Sequence, residues 1–87
     1  MDIEKVLDEI ILSLTNENAE SIELNDDVDL IVDLGFDSLS VMQCIVEIES
    51  KFDIEFDIEE LMLENIKSYN WLIKKINALL QGKGDND

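Results

Sequence analysis

Apolar residues recur at steps of three and four along most of this chain, and that spacing commits it to helices. Ile3, Val6, Leu7, Ile10, Ile11 and Leu14 form one stripe, and Val41, Cys44, Ile45, Ile48 and Phe52 form a second. Tyr69, Leu72, Ile73, Ile76, Leu79 and Leu80 form a third. Proline is absent and glycine occurs only three times in 87 residues, which disfavours a turn-rich β fold. The first helix is expected over residues 2 to about 15, capped by Asp2 and ended by the polar stretch from Asn16. The second runs from Asp37 or Ser38 to about Lys51, and the last from about Ser68 to Leu80. Lys74 and Lys75 suit the negative end of that last helix. A short helix is expected over Asp57–Leu63, with Asp57 as cap and Glu60 reaching back in a capping box.

These elements predict an all-α fold, a small helical bundle of three main helices plus one short helix. A chain of 87 residues has room for one modest core, so residues 1–81 read as a single domain. The glycine-containing residues 82–87 read as a frayed, disordered tail. Residues 16 to 36 form a long connection, through which Ile22, Leu24, Val28, Leu30, Leu34 and Phe36 are spaced closely enough to pin it to a core. A connection of that length inside a small domain is usually anchored or functional.

Charge narrows the function. Twenty-two acidic residues against six lysines give a formal charge of −16. Such a surface repels nucleic acid and anionic membrane and attracts basic partner surfaces. No apolar run approaches the ~20 residues that span a bilayer, and Met1 is followed by Asp2 and Glu4 rather than a basic-then-apolar leader. The expectation is a complete cytoplasmic protein, monomeric, with no nucleic-acid binding and no membrane insertion. Cys44 is the only cysteine and falls on an apolar stripe, so it reads as a small buried hydrophobe.

One run stands apart from the packing pattern: Asp33-Leu34-Gly35-Phe36-Asp37-Ser38-Leu39. Gly35 permits a backbone turn that side chains resist, and Asp37 is a good cap for the following helix. Ser38 then falls in the first helical turn, where unpaired N–H groups and the helix dipole favour an attached anion. Without histidine the serine has no base to make it a hydrolase nucleophile, and no lysine flanks it. Asp26, Asp27, Asp29, Asp33 and Asp37 lack the alternation, central glycine and terminal glutamate of a calcium loop, so no metal site is expected.

The L-G-F-D-S-L run, the helix after it and Phe52-Asp53-Ile54-Glu55, at mid-chain of a short acidic protein, resemble the acyl carrier proteins. The resemblance covers nearly the whole chain, from Ile3 to about Leu80. It implies that Asp37-Ser38-Leu39 is the attachment motif and that Ser38 carries a covalent 4'-phosphopantetheine arm. It further implies that a separate magnesium-dependent phosphopantetheinyl transferase supplies that arm from coenzyme A. The chain would then hold acyl groups as thioesters for loading and processing enzymes with basic docking surfaces, and would not itself be an enzyme.

At ~100° per residue from Ser38, Met42, Val46 and Glu49 fall beside the serine, with Leu39 at the edge of that sector. Met42 and Val46 are apolar residues the core stripe does not need, and they read as a docking patch for partners. Glu47 and Glu49 retain charge for basic surfaces; the arm and a short cargo would rest between the second and third helices, bordered by Met42, Val46, Leu61 and Met62, or extend to a partner. Positions two, five and twelve after the serine, often acidic in fatty-acid carriers, are Ser40, Gln43 and Ser50 here, and Lys51 interrupts the run. Polyketide or peptide assembly and fatty-acid synthesis both stay open. So do an amino-acyl (D-alanyl-type) carrier and an arm-less acidic interaction module of the same fold.

Overall fold

A computed structural model describes residues 2–15 and 23–84, with side chains through residue 82. Helix α1 spans Ile3–Leu14, α2 Ser38–Phe52, α3 Leu63–Ile66 and α4 Tyr69–Gly84. A single 3-10 turn, Ile58–Glu60, stands between α2 and α3. No strand is formed among the described residues; the backbone of Asp29 makes one isolated antiparallel bridge with Ser68. Three longer helices and a short one are thus the architecture the apolar spacing predicts.

Helix α1 begins where the Asp2 carboxylate accepts the Lys5 N–H, at 3.3 Å, and ends at Thr15, which is already extended. Residues 16–22, including the polar start at Asn16 and the anchor Ile22, lie outside the described residues. Helix α2 ends one residue later than expected. Asp53 closes it in the left-handed conformation, φ 54°, with its N–H returned to the Glu49 carbonyl.

The short helix is where the structure corrects the sequence. The Asp57 carboxylate accepts the Glu59 N–H at 3.4 Å, but the turn it caps is only three residues long. Leu61 and the extended Met62 then break the chain before α3 starts at Leu63. Glu60 makes no capping box, because its carboxylate reaches across to the Lys75 ammonium instead. That pairing also corrects the expectation for Lys75. Helix α4 continues to Gly84, so Lys75 lies near its middle and serves as an ion-pair partner rather than a dipole cap. Residues 82–84 are accordingly helical rather than a tail, while residues 85–87 lie outside the described residues.

The core is wholly apolar among the described residues. Leu7 and Ile11 of α1, Val41, Cys44 and Ile48 of α2, and Leu72 and Ile76 of α4 are completely shielded from solvent. All three predicted stripes therefore face one interior, and truncating a residue such as Ile48 to alanine would cost about 2–5 kcal/mol. The connection contributes Val28, Leu30 and Phe36 to the same core. Its backbone is fastened as well: Leu30 N–H donates to the Lys67 carbonyl at 2.8 Å, and Tyr69 N–H donates to the Val28 carbonyl at 3.2 Å. The segment before Ser38 is thereby held against the α3–α4 junction.

Candidate functional site

The site forms where that connection meets α2. Asp37 is the N-cap, in extended conformation, and its carboxylate accepts the Ser40 N–H at 2.8 Å. Its carbonyl accepts the Val41 N–H at 3.0 Å, so the helix starts at Ser38. The hydrogen bond from the Ser40 backbone, followed by the Ser40 hydroxyl, holds the Asp37 carboxyl below the usual aspartate range. Ser38 and Leu39 are exposed in the first turn, and Leu39 is 68% accessible.

What aims Ser38 outward is the burial of its upstream neighbours. Phe36 is buried, Leu34 packs against the core, and Phe36 N–H donates to the Leu30 carbonyl at 3.0 Å. Gly35 between them has φ +74°. A Cβ there would meet nothing within 4 Å, so backbone conformation and not space is what asks for glycine. Further upstream, the Asp29 carboxylate accepts the N–H of Ile31 (2.8 Å) and of Val32 (2.9 Å). Asp29 also pairs with Lys67 at 3.4 Å, and its own N–H donates to the Asp33 carboxylate at 2.7 Å. The Val32 hydrogen bond is the largest influence on Asp29 and, with those of Ile31 and Lys67, outweighs burial to lower its pKa. Neither Asp29 nor Lys67 was singled out as a site residue by the sequence. The one sequence signal, an aspartate two and three residues before potential donors, is common in turns.

The exposed side of α2 carries Leu39, Met42 and Val46, the last two 39% and 59% accessible. They line an open groove of about 340 Å³ together with Gln43, Glu47 and Leu14 of α1. Leu14 was assigned only to the α1 core stripe. As the last residue of that helix it is half-buried, and its position beside α2 depends on how the helices cross. Glu47 also borders α1, near Lys51 and Ser13.

The structure does not bring all the expected recognition residues together. Glu49 is half-buried, and its carboxylate accepts the Phe56 N–H at 2.9 Å, so it secures the loop after α2. Leu61 lies in a different groove, with Phe56, Ile58, Lys75 and Leu79. Met62 is 53% accessible at the start of α3 and lines neither groove. Leu61 and Met62 are thus not among the residues lining the groove of Met42 and Val46, which takes in Leu14 of α1 instead. The 3-10 turn and the break at Leu61 displace α3 from where the sequence placed it.

Among the described residues, no group of three or more His, Cys, Asp or Glu side chains is arranged to share a metal ion. None of the helices described is long and apolar enough to cross a membrane.

Residues 5–69 match the family described as "Phosphopantetheine attachment site". That match covers most of the chain, which belongs to this family of carriers of a covalently attached 4'-phosphopantetheine. A relative, the non-reducing polyketide synthase AC of Didymella fabae, is 37% identical over 79 residues. Those residues are 90% of this chain and 3% of that protein, so the chain spans only a small part of its relative's length. The surroundings of Ser38 suit a phosphate ester: its residue is exposed, a 15-residue helix begins there, and the first turn of α2 holds no acidic residue.

Proposed function

We propose that Ser38 is the attachment site for 4'-phosphopantetheine and that the chain acts as a non-catalytic carrier of acyl intermediates. The observation that carries this reading is the exposed Ser38 at the first position of α2, behind the Asp37 cap and within the family match. In the attached form the Ser38 Oγ becomes the ester oxygen of a phosphodiester whose charge faces the positive end of α2. The bound group supplies a terminal thiol that holds acyl chains as thioesters. Leu39, Met42, Val46 and Glu47 are the surface offered to the transferase and to acyl-loading and acyl-processing enzymes, whose basic residues complement a chain of charge −16.

Polyketide assembly is the pathway this reading favours, supported by the similarity to a non-reducing polyketide synthase and by Ser40, Gln43 and Ser50 on α2. Incubation with coenzyme A and a promiscuous transferase should add one phosphopantetheine to the intact mass, and Ser38→Ala should prevent it. Persistent labelling in that variant, or a label mapped to Ser40, overturns the assignment. An arm-less interaction module would stay unmodified throughout.

A further inference from the structure

We infer that Asp29 is a positioning residue for the loading of Ser38, acting by locking the loop that delivers the serine; this rests on Ser38 being the attachment site. Asp29 joins three things that are separate in sequence. Its carboxylate fixes the Ile31 and Val32 N–H groups, its backbone carbonyl and N–H both engage Asp33, and it meets the α3–α4 junction through Lys67 and the bridge to Ser68. The residues it fixes then hold the downstream half of the loop. Gly35 N–H donates to the Ile31 carbonyl at 3.1 Å, and Phe36 N–H donates to that of Leu30. Two residues beyond Phe36 stands Ser38.

The consequence is energetic. A partner that grips Ser38 must also accommodate Gly35, Phe36 and Asp37 in one conformation. If the loop samples others, apparent affinity falls by the fraction of time spent in the competent one, while turnover of the bound complex is unchanged. Asp29 therefore governs KM for the transferase and leaves kcat alone. The turn geometry matters more than the charge, because the Lys67 pair is partly exposed and contributes little by itself.

The test compares Asp29→Ala, Asp29→Asn and Asp29→Glu in the full chain, with transferase, coenzyme A and varied carrier concentration, under conditions where circular dichroism shows each variant folded. Asparagine keeps an acceptor oxygen at the same reach without the charge. Glutamate keeps the charge but moves the oxygen away by one methylene. Asp29→Ala and Asp29→Glu should raise KM on the order of five- to tenfold with kcat within about twofold, and Asp29→Asn should stay near wild type. Amide exchange at Val32, Gly35 and Phe36 should quicken in the first two variants while Cys44 and Ile48 remain protected. Should Asp29→Ala fail to fold, the order of the asparagine and glutamate variants decides alone. Wild-type KM in the glutamate variant, or an asparagine variant as impaired as the glutamate one, overturns the inference. A wild-type chain that is never loaded defeats instead the reading of Ser38.

Discussion

The Tyr69 hydroxyl donates a 2.6 Å hydrogen bond to the Asp8 carboxylate, joining the start of α4 to the middle of α1 across 61 residues. Tyr69 is buried and Asp8 half-buried, so the bond is partly shielded from competing water. Burial first, then the Asp8 contact, pushes the phenol above its ordinary pKa of 10.0. Hydrogen bonds to charged groups contribute about 1.5–3 kcal/mol. Tyr69→Phe, which keeps the ring, should therefore lower Tm by about 6 °C or more in a domain of this size. An unchanged Tm in that variant would mean that the hydroxyl contributes nothing and that apolar packing holds α4 to α1.

Cys44 should be chemically silent in the folded protein. Burial first, then the nearby Glu47 charge, pushes its thiol up to about 12. Iodoacetamide at pH 8 should leave the native unloaded chain unmodified and alkylate it once denatured; the loaded chain should take one label, on the arm. Because the folded pKa lies above the ordinary 9.0, the unfolded chain releases this proton first as pH rises. The Cys44 contribution to stability should then be full below pH 9 and be lost from there toward pH 12. Cys44→Ala should flatten that decline in a Tm-against-pH series.

The Asp37 cap predicts the opposite dependence. Its folded pKa lies below the ordinary 3.8, so its contribution is present above that pH and is lost as acid titrates the carboxylate. Asp37→Ala should lower Tm at neutral pH by removing the acceptor for Ser40 N–H. Asp37→Asn should restore most of the loss, and neither variant should show this residue's acid-side change. Thermal melts between pH 2 and 7 decide it.

Partner choice should separate from stability at Met42. This side chain is exposed on the groove wall, and alanine is the best helix former, so Met42→Ala should leave Tm nearly unchanged. It should lower kcat/KM with the cognate loading enzyme several-fold, since a central apolar anchor carries much of a small interface. Changing Gln43 and Ser50 together to glutamate should improve activity with fatty-acid synthase enzymes. A wild-type chain that already serves those enzymes as well as their own carrier would refute the preference for a polyketide pathway.

The three long helices and the approach to Ser38 were legible in the chain because their signals are local. A stripe at helical spacing, a glycine that can take positive φ and an aspartate before a helix act within a few residues of one another. Ile48 and Leu72 were readable as core, and Asp37 as cap, on that basis alone. What tertiary structure decided was which of the remaining polar groups find each other. Glu60 satisfies Lys75 rather than its own helix start, Glu49 serves Phe56 N–H, and Asp29 couples the serine loop to Lys67. Leu14 reaches the exposed side of α2 for the same reason: helix crossing, not spacing along one helix, determines which side chains share a groove. Local propensity places the serine at the head of a helix, whereas long-range packing selects the surface presented around it.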